Sequence, residues 1–144
     1  MNVHVSSVID APIEVVWAAV RDFNALPQWH PNILASRIED ARAVDAVGCI
    51  RNFQLQDGSS VREQLLTLSD REYRFCYSML ESELGLYDYI SEFSLQRVTD
   101  GNRTFAVWSA QFRTEPGREQ EKATMVGQGV FQVGFDALKK KLNR

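Results

Sequence analysis

Arg51 and Glu63 are the two charged residues whose spacing could set them face to face inside the molecule. They lie in two strand-like stretches, Gly48–Gln56 and Ser60–Ser69, separated by a turn signal at Asp57-Gly58. If the connecting loop is the three residues Gln56-Asp57-Gly58, with Gly58 in the left-handed conformation, Leu55 opposes Ser59 and Phe53 opposes Val61. Arg51 then opposes Glu63. In that register Arg51, Phe53, Leu55, Val61, Glu63 and Leu65 share one mostly apolar face, and the pair points inward. An unpaired charge there is expensive, whereas a paired one can hold the polar end of a ligand. A two-residue Asp57-Gly58 loop instead puts Arg51 opposite Gln64 and sends Glu63 to the other face. The remaining alternative is a solvated cross-strand pair worth under ~1 kcal/mol.

His30, between Trp29 and Pro31, titrates near neutral pH and could serve as a general base at a pocket mouth. The commoner case is a loop histidine with no chemical part. Tyr77 and Tyr89, if inward, offer hydroxyls in an apolar setting that suit orienting a polar ligand group; the alternative is that they bond the protein itself. Trp29 and Trp108 are ligand walls or core. His4 and His30 are far apart in sequence, and neither has a cysteine at ligand spacing, so no metal site is expected. There is no glycine-rich phosphate loop and no serine-nucleophile motif, and no cofactor is expected.

These side chains need a scaffold. Val3, Val5, Ser7 and Ile9 alternate as a first strand. Asp10-Ala11-Pro12-Ile13-Glu14 opens a helix, since proline near the first helical position loses no hydrogen bond and Glu14 favours the dipole. Ile13, Val16, Trp17 and Val20 give it an apolar stripe. Pro27 ends it, and Pro27–Pro31 is expected as an irregular turn. Strands follow at Leu34–Glu39, Gly48–Gln56, Ser60–Ser69, Glu72–Leu80, Asp88–Val98 and Thr104–Thr114, joined by connections too short for parallel crossovers. After Glu115-Pro116-Gly117 the period becomes helical: Val126, Val130, Val133 and Ala137, with Phe131, Leu138 and Leu142. The lysines 139–141 and Arg144 sit at its carboxyl end, where cations are favoured. The fold class is α+β, seven antiparallel strands curved around one long C-terminal helix.

Such a sheet leaves space unless its inward residues are bulky. Here Phe75, Tyr77, Met79, Tyr89, Phe93, Trp108 and Phe112 are large, and Ser91, Ala106 and Ala110 small. Gly127, Gly129 and Gly134 interrupt the last helix, each at roughly 1 kcal/mol relative to alanine. Space beneath the helix is one reason for them; close packing on the sheet, or a kink, is the other. The candidate ligand-binding residues are thus His30, Arg51, Phe53, Val61 and Glu63, with Tyr77, Tyr89, Trp108, Val130 and Gly134.

The chain's 144 residues fit one domain, residues 1–144. Sixteen basic against nineteen acidic residues give a net charge of −3, which argues against a nucleic-acid partner. Hydrophobic residues at 44% and charged residues at 24% mark a globular composition. No apolar run approaches the ~20 residues needed to span a bilayer, so no membrane insertion is expected. Met1–Ser7 has neither a basic start nor an apolar core, so the expected location is the cytoplasm. Cys49 and Cys76 make no disulfide framework, and a reducing compartment suits them.

The order of these elements, with Ile9-Asp10-Ala11-Pro12, Val16-Trp17, Val47-Gly48-Cys49-Ile50-Arg51, Arg62-Glu63-Gln64-Leu65 and Tyr87-Asp88-Tyr89, resembles the START-like or helix-grip superfamily over nearly the whole chain. That superfamily includes polyketide cyclases and dehydratases, birch-pollen-type allergens and plant abscisic-acid receptors. The resemblance implies one or two short helices between the first two strands and a ligand cavity under the last helix. In the receptors, the position matching His30 is a lysine that meets the ligand carboxylate, Glu63 matches an acidic residue that orders waters, and Tyr89 matches a pocket tyrosine. This chain lacks the lysine. Where the receptors have a longer gate loop it has only Gln56-Asp57-Gly58-Ser59, and Leu84-Gly85-Leu86 replaces their latch. The hormone switch therefore does not transfer.

Three functions remain open at this level. One is a carrier or sensor for a hydrophobic or aromatic small molecule, lipid- or polyketide-like. Another is a polyketide cyclase- or dehydratase-type enzyme using His30, Glu63, Arg51 and Tyr89 in a dry cavity. The third is an interaction module, including a homodimer, docking through Leu84-Gly85-Leu86-Tyr87.

Overall fold

Asn2–Ile9 forms β1, burying Val3 and Ile9 on the face that alternation assigns them. Pro12 precedes α1 (Ile13–Val20), whose buried residues are Ile13, Val16, Trp17 and Val20. Trp17 Nε1 and Arg21 Nε both donate to Asp70 Oδ1, at 2.8 and 2.7 Å, which ties α1 to a distant turn. The segment expected as an irregular turn is instead a one-turn helix, α2 (Leu26–Trp29). Pro27 lies within its first turn, where no intrahelical partner exists for the missing N–H, so proline admits the helix that it would break further along.

The computed structural model describes all 144 residues, Met1–Arg144. Six more strands follow: β2 (Ile33–Ile38), β3 (Ile50–Leu55), β4 (Ser60–Ser69), β5 (Arg74–Glu81), β6 (Tyr87–Val98) and β7 (Arg103–Arg113). They form one antiparallel sheet in the order β1-β7-β6-β5-β4-β3-β2, so β1 closes on β7 and not on its neighbour in sequence. Strand bounds fall within two residues of the sequence expectation. Bulges in the β4–β5 ladder, between Arg62 and Glu63 and between Leu65 and Thr67, and in the β6–β7 ladder near Asp88 bend the sheet, as an extra unpaired residue does.

The β3–β4 connection takes the three-residue form. Arg51 pairs with Glu63 and Phe53 with Val61, Leu55 N–H bonds Ser59 O at 2.9 Å, and Gly58 has φ +88°. One register therefore turns Arg51, Phe53, Val61, Glu63 and Leu65 inward together, and all five are buried.

The long C-terminal element is not uniform. α3 (Glu119–Val126) passes through a π-helical stretch, Gly127–Gln132, into α4 (Val133–Leu142). The wider turn inserts a step of five, so the deeply buried stripe runs Val126, Phe131, Phe135, Leu138. Phe131 stacks on Trp108 of β7, ring centroids 4.5 Å apart. Space is not the reason for every glycine. A Cβ on Gly134 would meet Trp108 at 2.9 Å, His30 at 3.0 Å and Trp29 at 3.1 Å, and one on Gly127 would meet Val3 at 3.2 Å. Those two are close-packing glycines. Only Gly129 faces open space.

Candidate ligand-binding cavity

Between the concave face of the sheet and the C-terminal element lies a cavity of about 290 Å³. Fourteen of its 21 lining residues are hydrophobic, which sets its character. β3 and β4 supply Phe53, Leu55 and Val61; β5, β6 and β7 supply Tyr77, Met79, Tyr89 and Trp108. Met125, Val126, Gly129 and Val130 form the roof, and Leu26, His30 and Ile33 close one end. Exposed Asn32, Gln56 and Asp57 and half-buried Leu84 and Leu86 mark the mouth. Nine of the ten candidate residues line this space. Gly134 does not: it sits against Trp108, His30 and Trp29, where its lack of a side chain lets the helix approach.

Arg51 and Glu63 are 3% and 4% exposed, so their pairing is internal. Arg51 Nε and Nη2 both donate to Glu63 Oε1, at 3.0 and 2.8 Å, and Nη1 donates to the Phe23 carbonyl at 3.3 Å. The guanidinium lies over the ring of Phe23 at 4.0 Å and over that of Tyr77 at 4.7 Å. Aromatic faces suit a cation stripped of water. Burial pushes the Glu63 carboxyl upward in pKa, and the Arg51 charge and hydrogen bonds pull against it.

His30 is 1% exposed and engaged through both ring nitrogens. Asn32 N–H donates to Nδ1 at 3.2 Å, which leaves the ring proton on Nε2 to bond the Val130 carbonyl at 2.8 Å. Burial lowers its pKa, with Arg51 adding to the effect, so the ring is neutral at neutral pH. With its lone pair taken by Asn32, His30 is a brace between the α2–β2 junction and the roof; it is not poised as a base. Asn32 Nδ2 adds a bond to the Gly129 carbonyl at 3.1 Å, so one short segment holds two successive carbonyls of the π-helical stretch.

Tyr77 accepts a bond from Trp108 Nε1 at 3.0 Å, and burial pushes its phenol up to about 12. Burial holds the Tyr89 phenol well above its ordinary value too. Both are neutral hydroxyls at physiological pH. No three His, Cys, Asp or Glu side chains converge as a metal would require.

The profile of the family described as polyketide cyclase / dehydrase and lipid transport matches residues 1–143. The chain belongs to that family. A search of curated proteins returns no match. Solved structures similar to this member of the polyketide cyclase / dehydrase and lipid transport family include a protein from Bacillus thuringiensis, 25% identical, with a TM-score of 0.88 over 98% of both chains. One from Nitrosospira multiformis is 26% identical, with a TM-score of 0.84 over 99% of this chain and 97% of its own. The protein XoxI of Bacillus cereus, 24% identical, shares the fold, with a TM-score of 0.88 over 98% and 94%.

Within this family framework, several cavity residues were not singled out by sequence. Phe23 is the clearest: it follows α1 in a short connection, and its ring and carbonyl both serve Arg51. Nothing in its local pattern separates it from an ordinary core phenylalanine. Leu26, Ile33, Met125 and Val126 likewise read only as apolar positions. Leu84 and Leu86 turn toward the cavity mouth, while neighbouring Tyr87 is 45% exposed and reaches Glu115 at 3.5 Å.

Proposed function

We propose that the protein binds a hydrophobic or aromatic small molecule in the cavity between the sheet and the C-terminal helix, as a carrier or sensor. The observation that carries this reading is a mostly apolar chamber of about 290 Å³ whose buried ionic groups, Arg51 and Glu63, pair with each other, while the third, Asp57, lies exposed at the mouth. Ligand cavities of this kind are mostly apolar, with a few polar groups that fix orientation. The enzyme reading draws on the family description. Its histidine is less supported by the geometry, because both ring nitrogens of His30 are bonded within the protein and leave no free lone pair for a base. The half-buried, cavity-facing positions of Leu84 and Leu86 favour a role at the entrance over a docking patch.

Native mass spectrometry of the protein purified from its own host tests the proposal. The expected spectrum contains a fraction of chains carrying one non-covalent small molecule, released by mild activation. Consistently bare chains that also fail to take up any apolar molecule added in excess would contradict it.

A further inference from the structure

The way Arg51 and Glu63 meet leaves a chemical asymmetry in the cavity wall. Both arginine bonds to the carboxylate fall on Oε1. Oε2 accepts no bond from any protein group, although the residue is 4% exposed, and it is not among the sealed polar atoms of the interior. It therefore opens onto the cavity that Glu63 lines. The positive partner is covered by comparison: its third bond goes to the Phe23 carbonyl, and its faces lie against Phe23 and Tyr77. His30 has both nitrogens occupied and offers no charge. Inside the cavity an occupant thus meets one free carboxylate oxygen, the neutral hydroxyls of Tyr77 and Tyr89, and no free cation; the other carboxylate, Asp57, lies at the exposed mouth.

Resting on the cavity-binding reading above, we propose that the occupant is a compact, uncharged hydrophobic molecule bearing a hydroxyl, an alcohol or phenol, that donates to Glu63 Oε2, and that carboxylate-bearing analogues are rejected. A carboxylate placed there sets a second negative charge against Glu63 with no cation left to take it, and an unpaired buried ion is costly. A hydroxyl completes the bonding of an ionised oxygen, among the stronger hydrogen bonds available. The volume, about 290 Å³, is at the lower end of ligand cavities and suits a skeleton of one or two rings over a long acyl chain.

Calorimetric titration of the whole chain at neutral pH with naphthalene, 2-naphthol and 2-naphthoate tests this on one skeleton. The expected order is 2-naphthol about tenfold tighter than naphthalene, and 2-naphthoate weaker than both. Equal affinity for naphthalene and 2-naphthol would overturn the contact to Glu63 Oε2, and 2-naphthoate binding as tightly as 2-naphthol would overturn the rejection of anions; either result leaves the cavity reading standing. Binding of none of the three would overturn both readings. In the Glu63→Gln variant, verified as folded by circular dichroism, freed Arg51 donors are expected to raise 2-naphthoate affinity at least tenfold relative to 2-naphthol; an unchanged ratio contradicts the proposal.

Discussion

At the scale of single residues, the Arg51–Glu63 pair ties folding to recognition. Removing one partner of a buried pair leaves the other charged and dry, so Glu63→Ala is expected to cost about 3–5 kcal/mol. The double variant Arg51→Met with Glu63→Leu removes both charges and is expected to recover most of that loss. Urea unfolding of the three proteins checks this; a Glu63→Ala variant within about 1 kcal/mol of the parent would contradict it. His30 gives a pH signature. Its folded pKa lies below the ordinary 6.5, so below that value the unfolded chain binds the proton first. Stability should therefore fall as pH drops from about 6.5 toward the folded pKa, and His30→Gln should flatten that slope in denaturant midpoints. The sequence offered the Arg51–Glu63 contact as one of two registers, because loop length sets the pairing of a hairpin, and the structure takes the three-residue form. Phe23 was not, because nothing local says that its ring will lie under a guanidinium 28 positions away.

Among the elements, the C-terminal helix departs most from what its sequence announces. Apolar residues at three- and four-residue steps suggest Val126 and Val130 on one stripe, but the π-helical stretch carries the buried face from Val126 to Phe131. A period of 3.6 cannot reveal one wide turn, whose Val130 and Gly129 carbonyls are bonded by His30 and Asn32 from outside the helix. The glycines now separate by mechanism. Gly134→Ala sets a methyl group against three rigid rings and is expected to cost about 1–3 kcal/mol. Gly129→Ala meets nothing within 4 Å and is expected to stabilise by up to about 1 kcal/mol through reduced backbone freedom in the unfolded chain. Thermal unfolding of both variants decides; equal shifts in the same direction would contradict the distinction. Pro27 teaches a related lesson, since a helix-breaking residue is also a helix-starting one and only the neighbours determine which.

For the molecule as a whole, the strand sequence and the final helix were readable from alternation, turn signals and short connections. The space inside was not. It depends on how far Trp108, stacked on Phe131, and Phe93, against Phe135 at 5.8 Å, fill the concavity before Phe53, Val61 and Met125 leave the remainder open. Long-range ties hold this cup shut at its ends: β1 on β7, and Arg144 bonded to Asp10, Gly101 and Asn102. Binding by this protein requires that interior to accept an occupant. Fluorescence titration with the apolar probe N-phenyl-1-naphthylamine, on the parent and on Val130→Phe, tests it most directly. Val130 forms part of the roof, and the larger ring fills the space beneath it. Saturable binding of one probe per chain is expected, with affinity lowered at least tenfold in Val130→Phe while the fold is kept. Absence of binding by the parent, or affinity untouched by the filled roof, would contradict it.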